Sequence, residues 1–93
     1  MGFNLGQVVS TNGVHSLMES DNYFMMFVVD SLRKYIECDW GQTCDEDKVL
    51  NDNAVKNGDD RILAVYEKDG LPKIWIITEW DRSATTILFP SEY

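Results

Sequence analysis

One histidine, two cysteines and eight basic residues are all that 93 positions offer of the side chains that most often do nucleophilic chemistry, hold metals or grip phosphate. A serine or cysteine nucleophile needs a base within reach. The sole histidine, His15, falls in a turn or short helix far along the chain from Cys38 and Cys44, so no Cys–His pair is expected. The cysteine spacing is C-x5-C, not the C-x-x-C of a redox or zinc site, and zinc would need two further good ligands. Reduced, half-buried thiols are the expectation. Positive charge is scarce: eight Lys and Arg face sixteen Asp and Glu, for a net charge of −8 and a pI near 4.3. That excludes a nucleic-acid backbone or an anionic membrane as the direct ligand. Long apolar runs are missing too. The longest, residues 23–29, is far below a bilayer span. Met1-Gly2-Phe3-Asn4 lacks a basic region followed by an apolar block, so no secretory signal is read. Gln7 stands where a myristoylation signature has Ser or Thr. The expectation is a cytoplasmic protein.

What is present suffices for one domain over residues 1–93. At 44% hydrophobic and 12% aromatic, the chain is too apolar for a disordered acidic tail. A chain of this length buries about 60–65% of its unfolded surface, enough for one modest core. Residues 5–10, with β-branched Val8 and Val9, read as a short strand. Thr11-Asn12-Gly13 is turn and cap chemistry. Residues 14–19 follow as a short helix with Leu17 and Met18 facing inward. Ser20 reads as the N-cap of the next helix, with Asp21 in its first turn. From Asn22, Phe24, Phe27, Val28, Leu32 and Tyr35 recur at helical spacing, and Tyr23, Met26, Val29 and Ile36 widen the stripe. That predicts a central helix apolar around much of its girth, and so well buried.

Asp39-Trp40-Gly41 breaks the helix. Thr43-Cys44-Asp45-Glu46 reads as a capping box, opening a third helix to about Asn57 with Gly58 as a left-handed stop. Its apolar residues Leu50, Ala54 and Val55, with Val49 at the edge, predict one narrow packed face. The period then changes. Residues 61–68 alternate, Asp69-Gly70 signals a hairpin, residues 73–80 carry the run Ile74-Trp75-Ile76-Ile77, and residues 84–89 end at Pro90. Strands joined by short turns pair antiparallel. The predicted fold is α+β: a short N-terminal strand, two to three helices, then a three-stranded antiparallel meander.

The charge is concentrated between Glu37 and Asp60. Eight carboxylates there face only Lys48 and Lys56, which leaves six of the eight net negative charges in one stretch. A carboxylate pair could do acid–base work, since Asp45 and Asp52 share a helix face and Asp39 could approach. Asp45-x-Asp47 lacks the glycine and terminal glutamate of a calcium loop, so no metal and no cofactor are expected. Of the aromatics, Trp75 is expected in the core and Trp80, between Glu79 and Asp81, as an exposed anchor of the kind enriched at interfaces. Trp40 suits either role. The candidate partner-binding residues are thus Asp39, Trp40, Asp45, Asp47, Asp52, Asp59, Asp60 and Trp80.

Asp39-Trp40-Gly41, the acidic helix after it, and the C-terminal run from Lys73-Ile74-Trp75-Ile76-Ile77-Thr78-Glu79-Trp80-Asp81-Arg82-Ser83 to Pro90-Ser91-Glu92-Tyr93 carry a resemblance. The chain resembles small plasmid-related proteins carried on plasmids, conjugative elements and phages of Firmicutes. The resemblance implies a mobile-element cargo protein and carries over no functional residue. Small acidic proteins of such elements include anti-CRISPR and anti-restriction inhibitors. The expected function is therefore a non-enzymatic acidic module that occupies a basic, nucleic-acid-binding surface of a defence nuclease. Two other expectations stand beside it. One is a plasmid-maintenance homodimer paired through the edge of the meander. The other is a small metal-dependent enzyme using the acidic cluster.

Overall fold

The structure, a computed structural model, describes residues 3–93. Its elements are β1 (Gln7–Ser10), α1 (Asn12–Ser20), α2 (Asn22–Ile36), α3 (Asp45–Asn57), β2 (Ile62–Tyr66), β3 (Ile74–Thr78) and β4 (Ala84–Leu88), then a 3₁₀ turn at Pro90–Glu92. The last three strands pair antiparallel in chain order, as their short connections require. The sheet is nevertheless not a three-stranded meander. β1 adds beside β4 in parallel, giving a mixed four-stranded sheet of order β1-β4-β3-β2. A parallel partner needs a long crossover, and everything from α1 to β3 supplies one. Nothing in the four residues of β1 announces that partner.

Caps set the helix boundaries. Thr11 caps α1, its hydroxyl accepting from the Val14 amide at 3.4 Å, so the helix starts two residues before the expected Val14. The cap of α2 is Asp21, not Ser20. Its carboxylate accepts from the amides of Tyr23 and Phe24 at 2.9 and 3.2 Å, while Ser20 donates back to the Leu17 carbonyl. The buried face of α2 is Phe24, Phe27, Val28, Ser31 and Tyr35. The wider stripe is overturned: Tyr23, Met26, Val29 and Ile36 are exposed. A two-layer molecule covers a helix from one side only, and no further layer meets the outer side of α2.

The expected capping box of α3 does not form. The Thr43 hydroxyl instead donates to the Trp40 carbonyl at 2.5 Å and accepts from the Val65 amide at 2.9 Å. Cys44 takes the N-cap position without a side-chain bond, and Gly58 ends the helix at φ 71°, as expected. The packed residues of α3 are Asn51 and Ala54; Val49 and Leu50 stand 58% and 61% exposed. The reason is placement, because α3 lies along the outer edge of β2. There the Asn51 amide donates to the Leu63 carbonyl at 2.8 Å and accepts from the Leu63 amide at 3.2 Å. The Gln42 amide reaches the Val65 carbonyl at 2.9 Å, and its side chain accepts from the Glu67 amide at 2.8 Å. Gly41 bridges to Val65 at φ 61°, where an added Cβ would sit 2.5 Å from the Tyr66 ring. A side chain there would meet both a left-handed backbone and a clash.

One face of the sheet, with Ile62, Ala64, Tyr66, Ile74, Ile76 and Ile87, forms the core with Val14, Phe24, Phe27 and Tyr35. Tyr35 meets Phe3 and Trp40 edge-on at 5.4 and 5.5 Å. A chain of hydroxyls crosses this core. Thr85 donates to the Leu5 carbonyl at 2.7 Å, so it accepts from Thr78 at 2.7 Å, and Thr78 in turn accepts from Tyr35 at 2.7 Å. The other face of the sheet carries Leu63, Val65, Trp75, Ile77 and Leu88. Trp75 is thus not in the helix-side core. It is half-buried, edge-on to Tyr93 at 5.5 Å.

Candidate protein-binding surface

Of the eight candidate residues only Trp40 is buried; the other seven are exposed. Trp40 is 4% exposed, and its indole nitrogen donates to the Asp52 carboxylate at 2.8 Å. Of the two roles open to Trp40, the structure shows the core plug, and the exposed Asp52 is its tether. Asp39 shapes the loop between α2 and α3. Its carboxylate accepts from the Gly41 amide at 3.1 Å and its carbonyl from the Tyr66 hydroxyl at 2.7 Å.

Asp45 and Asp47 are exposed, with Glu46, in the first turn of α3. Three carboxylates there face the positive end of the helix dipole, which favours them. Asp59 and Asp60 are exposed beyond the other end, where the chain turns back along α3 and brings Asp60 to the same groove as Asp47. Between them the outer side of α3 shows Val49 and Leu50. Leu50 borders a groove of about 250 Å³ with Asp47, Asn51, Asp60, Arg61 and Leu63.

Trp80 is 64% exposed, as expected of an anchor. One arginine places it beside Asp60. The Arg82 guanidinium donates to the carbonyls of Asp60, Glu79 and Trp80 at 2.6, 3.2 and 3.2 Å, and its other amine to the Ala54 carbonyl at 2.8 Å. Four carbonyls from the end of α3, the following loop and the β3–β4 turn thus converge on one cation. The Trp80 and Asp60 carbonyls thus share one guanidinium, and Glu79 and Asp81 flank Trp80 in the chain. Hydrogen bonds from Ser83, first its hydroxyl and then its amide, hold the Asp81 carboxyl below its ordinary range.

Among the described residues no group of three or more His, Cys, Asp and Glu side chains comes together to hold a metal. His15 is exposed and 3.5 Å from Glu19 on its own helix. Burial pushes the Cys38 thiol up, the direction that suppresses thiolate chemistry. Burial likewise raises the hydroxyls of Tyr35 and Tyr66 above the usual tyrosine range. No helix among the described residues is long and apolar enough to cross a membrane.

Sequence reasoning missed Arg82, Asn51 and a shallow concavity. Arg82 gave no signal beyond its place between turn formers. Asn51 did, because Asp47, Asn51 and Ala54 recur at helical spacing and mark the side of α3 that faces the sheet edge. The concavity, about 710 Å³, lies between α1, the β2–β3 loop and the C-terminal turn, lined by Leu17, Pro72, Lys73, Phe89 and Pro90. Comparison with family models, curated proteins and solved structures returns no match to this chain.

Proposed function

We propose that this protein is a non-enzymatic, acidic protein-binding module that docks on a basic protein surface. The observation that carries the reading is Trp80, a largely exposed indole flanked in the chain by Glu79 and Asp81, on a turn that Arg82 ties to the Asp60 carbonyl. Such a tip gives an apolar anchor inside a negative field. The field speeds encounter with a basic partner, and the desolvated ring holds the complex. The first turn of α3 extends the negative surface, with Val49 and Leu50 as a second apolar contact. The resemblance to plasmid-related proteins supports a partner class: the nucleic-acid-binding face of a host defence nuclease, with inhibition by occupancy.

The test is capture of purified CRISPR and restriction nucleases by the immobilised protein across a salt series. Binding weakens as salt rises. Trp80→Ala lowers affinity by about a hundredfold, in the range of an interface hot spot. Asp45→Asn, Glu46→Gln and Asp47→Asn together lower it further, with the melting temperature kept within a few degrees. Asp52 is left in place because it holds Trp40. Unchanged binding by both variants sinks the reading.

A further inference from the structure

The two edges of the sheet are treated differently. On β2, Leu63, Val65 and Glu67 find hydrogen-bond partners in Gln42, Thr43 and Asn51. On β1 nothing comparable is present among the described residues. The Gln7 amide donates to the Ser83 carbonyl and the Thr11 amide to the Ile87 carbonyl, both at 3.1 Å. Alternation along a strand then turns Gln7, Val9 and Thr11 toward β4, and the amides and carbonyls of Val8 and Ser10 outward. Val8 and Val9 are 43% and 39% exposed. The strand carries none of the lysine, proline or inward charge that blunts an open edge.

We infer that β1 is a self-association edge, at which a second copy of this chain adds its own β1 antiparallel. The charge distribution selects that occupant. In a chain of net charge −8, residues 3–18 hold no Asp, Glu, Lys or Arg. Two copies can meet here without bringing like charges together, and a basic partner finds no carboxylate on the strand. One residue past the strand, the Glu92 carboxylate accepts from the Thr11 hydroxyl at 2.6 Å. Register follows from the outward groups. Val8 pairs with Ser10 of the second copy and Ser10 with its Val8, giving four interchain hydrogen bonds. Val9 then meets Val9 of the second copy on the two-fold axis as a non-hydrogen-bonded pair, about 4.5 Å between Cα atoms. Thr11 lies opposite Gln7 of the second copy, which sets the two Thr11–Glu92 pairs about 13 Å apart, beyond a Debye length at physiological salt. The product is an eight-stranded sheet.

Analytical ultracentrifugation of the intact protein, from about 10 μM to about 1 mM, covers the range expected of a small interface. The expected result is a monomer–dimer equilibrium that higher salt leaves unchanged or strengthens. Partner capture through Trp80 responds to salt in the opposite sense, so either idea can fail without the other. Val8→Pro removes a donor used only between copies and yields a monomer with an unchanged melt. Val9→Lys places two ammonium groups on the axis, weakens the dimer at least about tenfold, and decides the matter if the proline variant does not fold. A monomer throughout the range, or a dimer indifferent to Val9→Lys, overturns the proposal.

Discussion

Thr85 shows how much one buried hydroxyl can organise. It sits on β4, donates to the carbonyl of Leu5 in the N-terminal segment, and receives from Thr78 on β3, which receives from Tyr35 on α2. Every polar group in that chain is satisfied, which a buried network requires. Thr85→Val keeps the shape and β-branching but leaves the Leu5 carbonyl and the Thr78 hydroxyl each short of a partner. The expected loss is about 1–3 kcal/mol of unfolding free energy, read from urea melts. A loss below half that would mean that water replaces the missing hydroxyl. None of this was legible in the sequence, where Thr78 and Thr85 read only as strand residues. Hydroxyl pairing depends on register, and register depends on which strands meet.

At the level of elements, the types and order of α2, α3 and the three C-terminal strands follow from hydrophobic period and turn residues. Their surroundings do not. The stripe on α2 counts apolar residues correctly and misjudges which are covered, since period reports a face and not the number of layers against it. Leu50 reads as inward for the same reason, while the residues of α3 that touch the sheet include Asn51, a polar side chain suited to a backbone edge. Asn51 is an edge cap made by a side chain: one amide satisfies both the carbonyl and the amide of Leu63. Asn51→Ala bares that pair. The expected outcome is a destabilisation of about 1–3 kcal/mol, with faster hydrogen exchange at Leu63. Equal exchange protection in both proteins would show that α3 shields the edge without this contact. Of the candidate site, Trp80 and the carboxylates at both ends of α3 were readable from charge and strand position. The burial of Trp40 was not, because its partner Asp52 is twelve residues on, across a turn.

For the whole molecule, net charge and its placement matter together. Six of the eight net negative charges fall between Glu37 and Asp60, and in the fold they line α3 and its flanks at the β2 side. Among the described residues the ion pairs of Arg33 with Asp30 and Glu37 and of Lys73 with Glu67 are exposed and so weak, and His15–Glu19 joins them only when the imidazole is protonated. Self-repulsion therefore opposes the compact state more than these pairs support it. Raising salt from about 10 mM to about 200 mM, which shortens the Debye length from about 30 Å to under 10 Å, is expected to raise the melting temperature by a few degrees. A fall in melting temperature over that range would show that the ion pairs dominate. The same repulsion makes the charge-free N-terminal edge distinctive, as the strip on which two such molecules can approach.

The parallel pairing of β1 with β4 has a consequence in time. β1 leaves the ribosome well before its partner, with more than seventy residues between the paired positions. The hairpins of β2, β3 and β4 close short loops and can form early, whereas joining β1 to β4 closes a loop of more than seventy residues. Throughout synthesis, then, Val8 and Val9 wait without a strand to lie against. Once β4 has joined β3, its far side stays bare until the N-terminus returns. The last event of folding is the one that seals the sheet, and any delay in it leaves two sticky strands in one molecule.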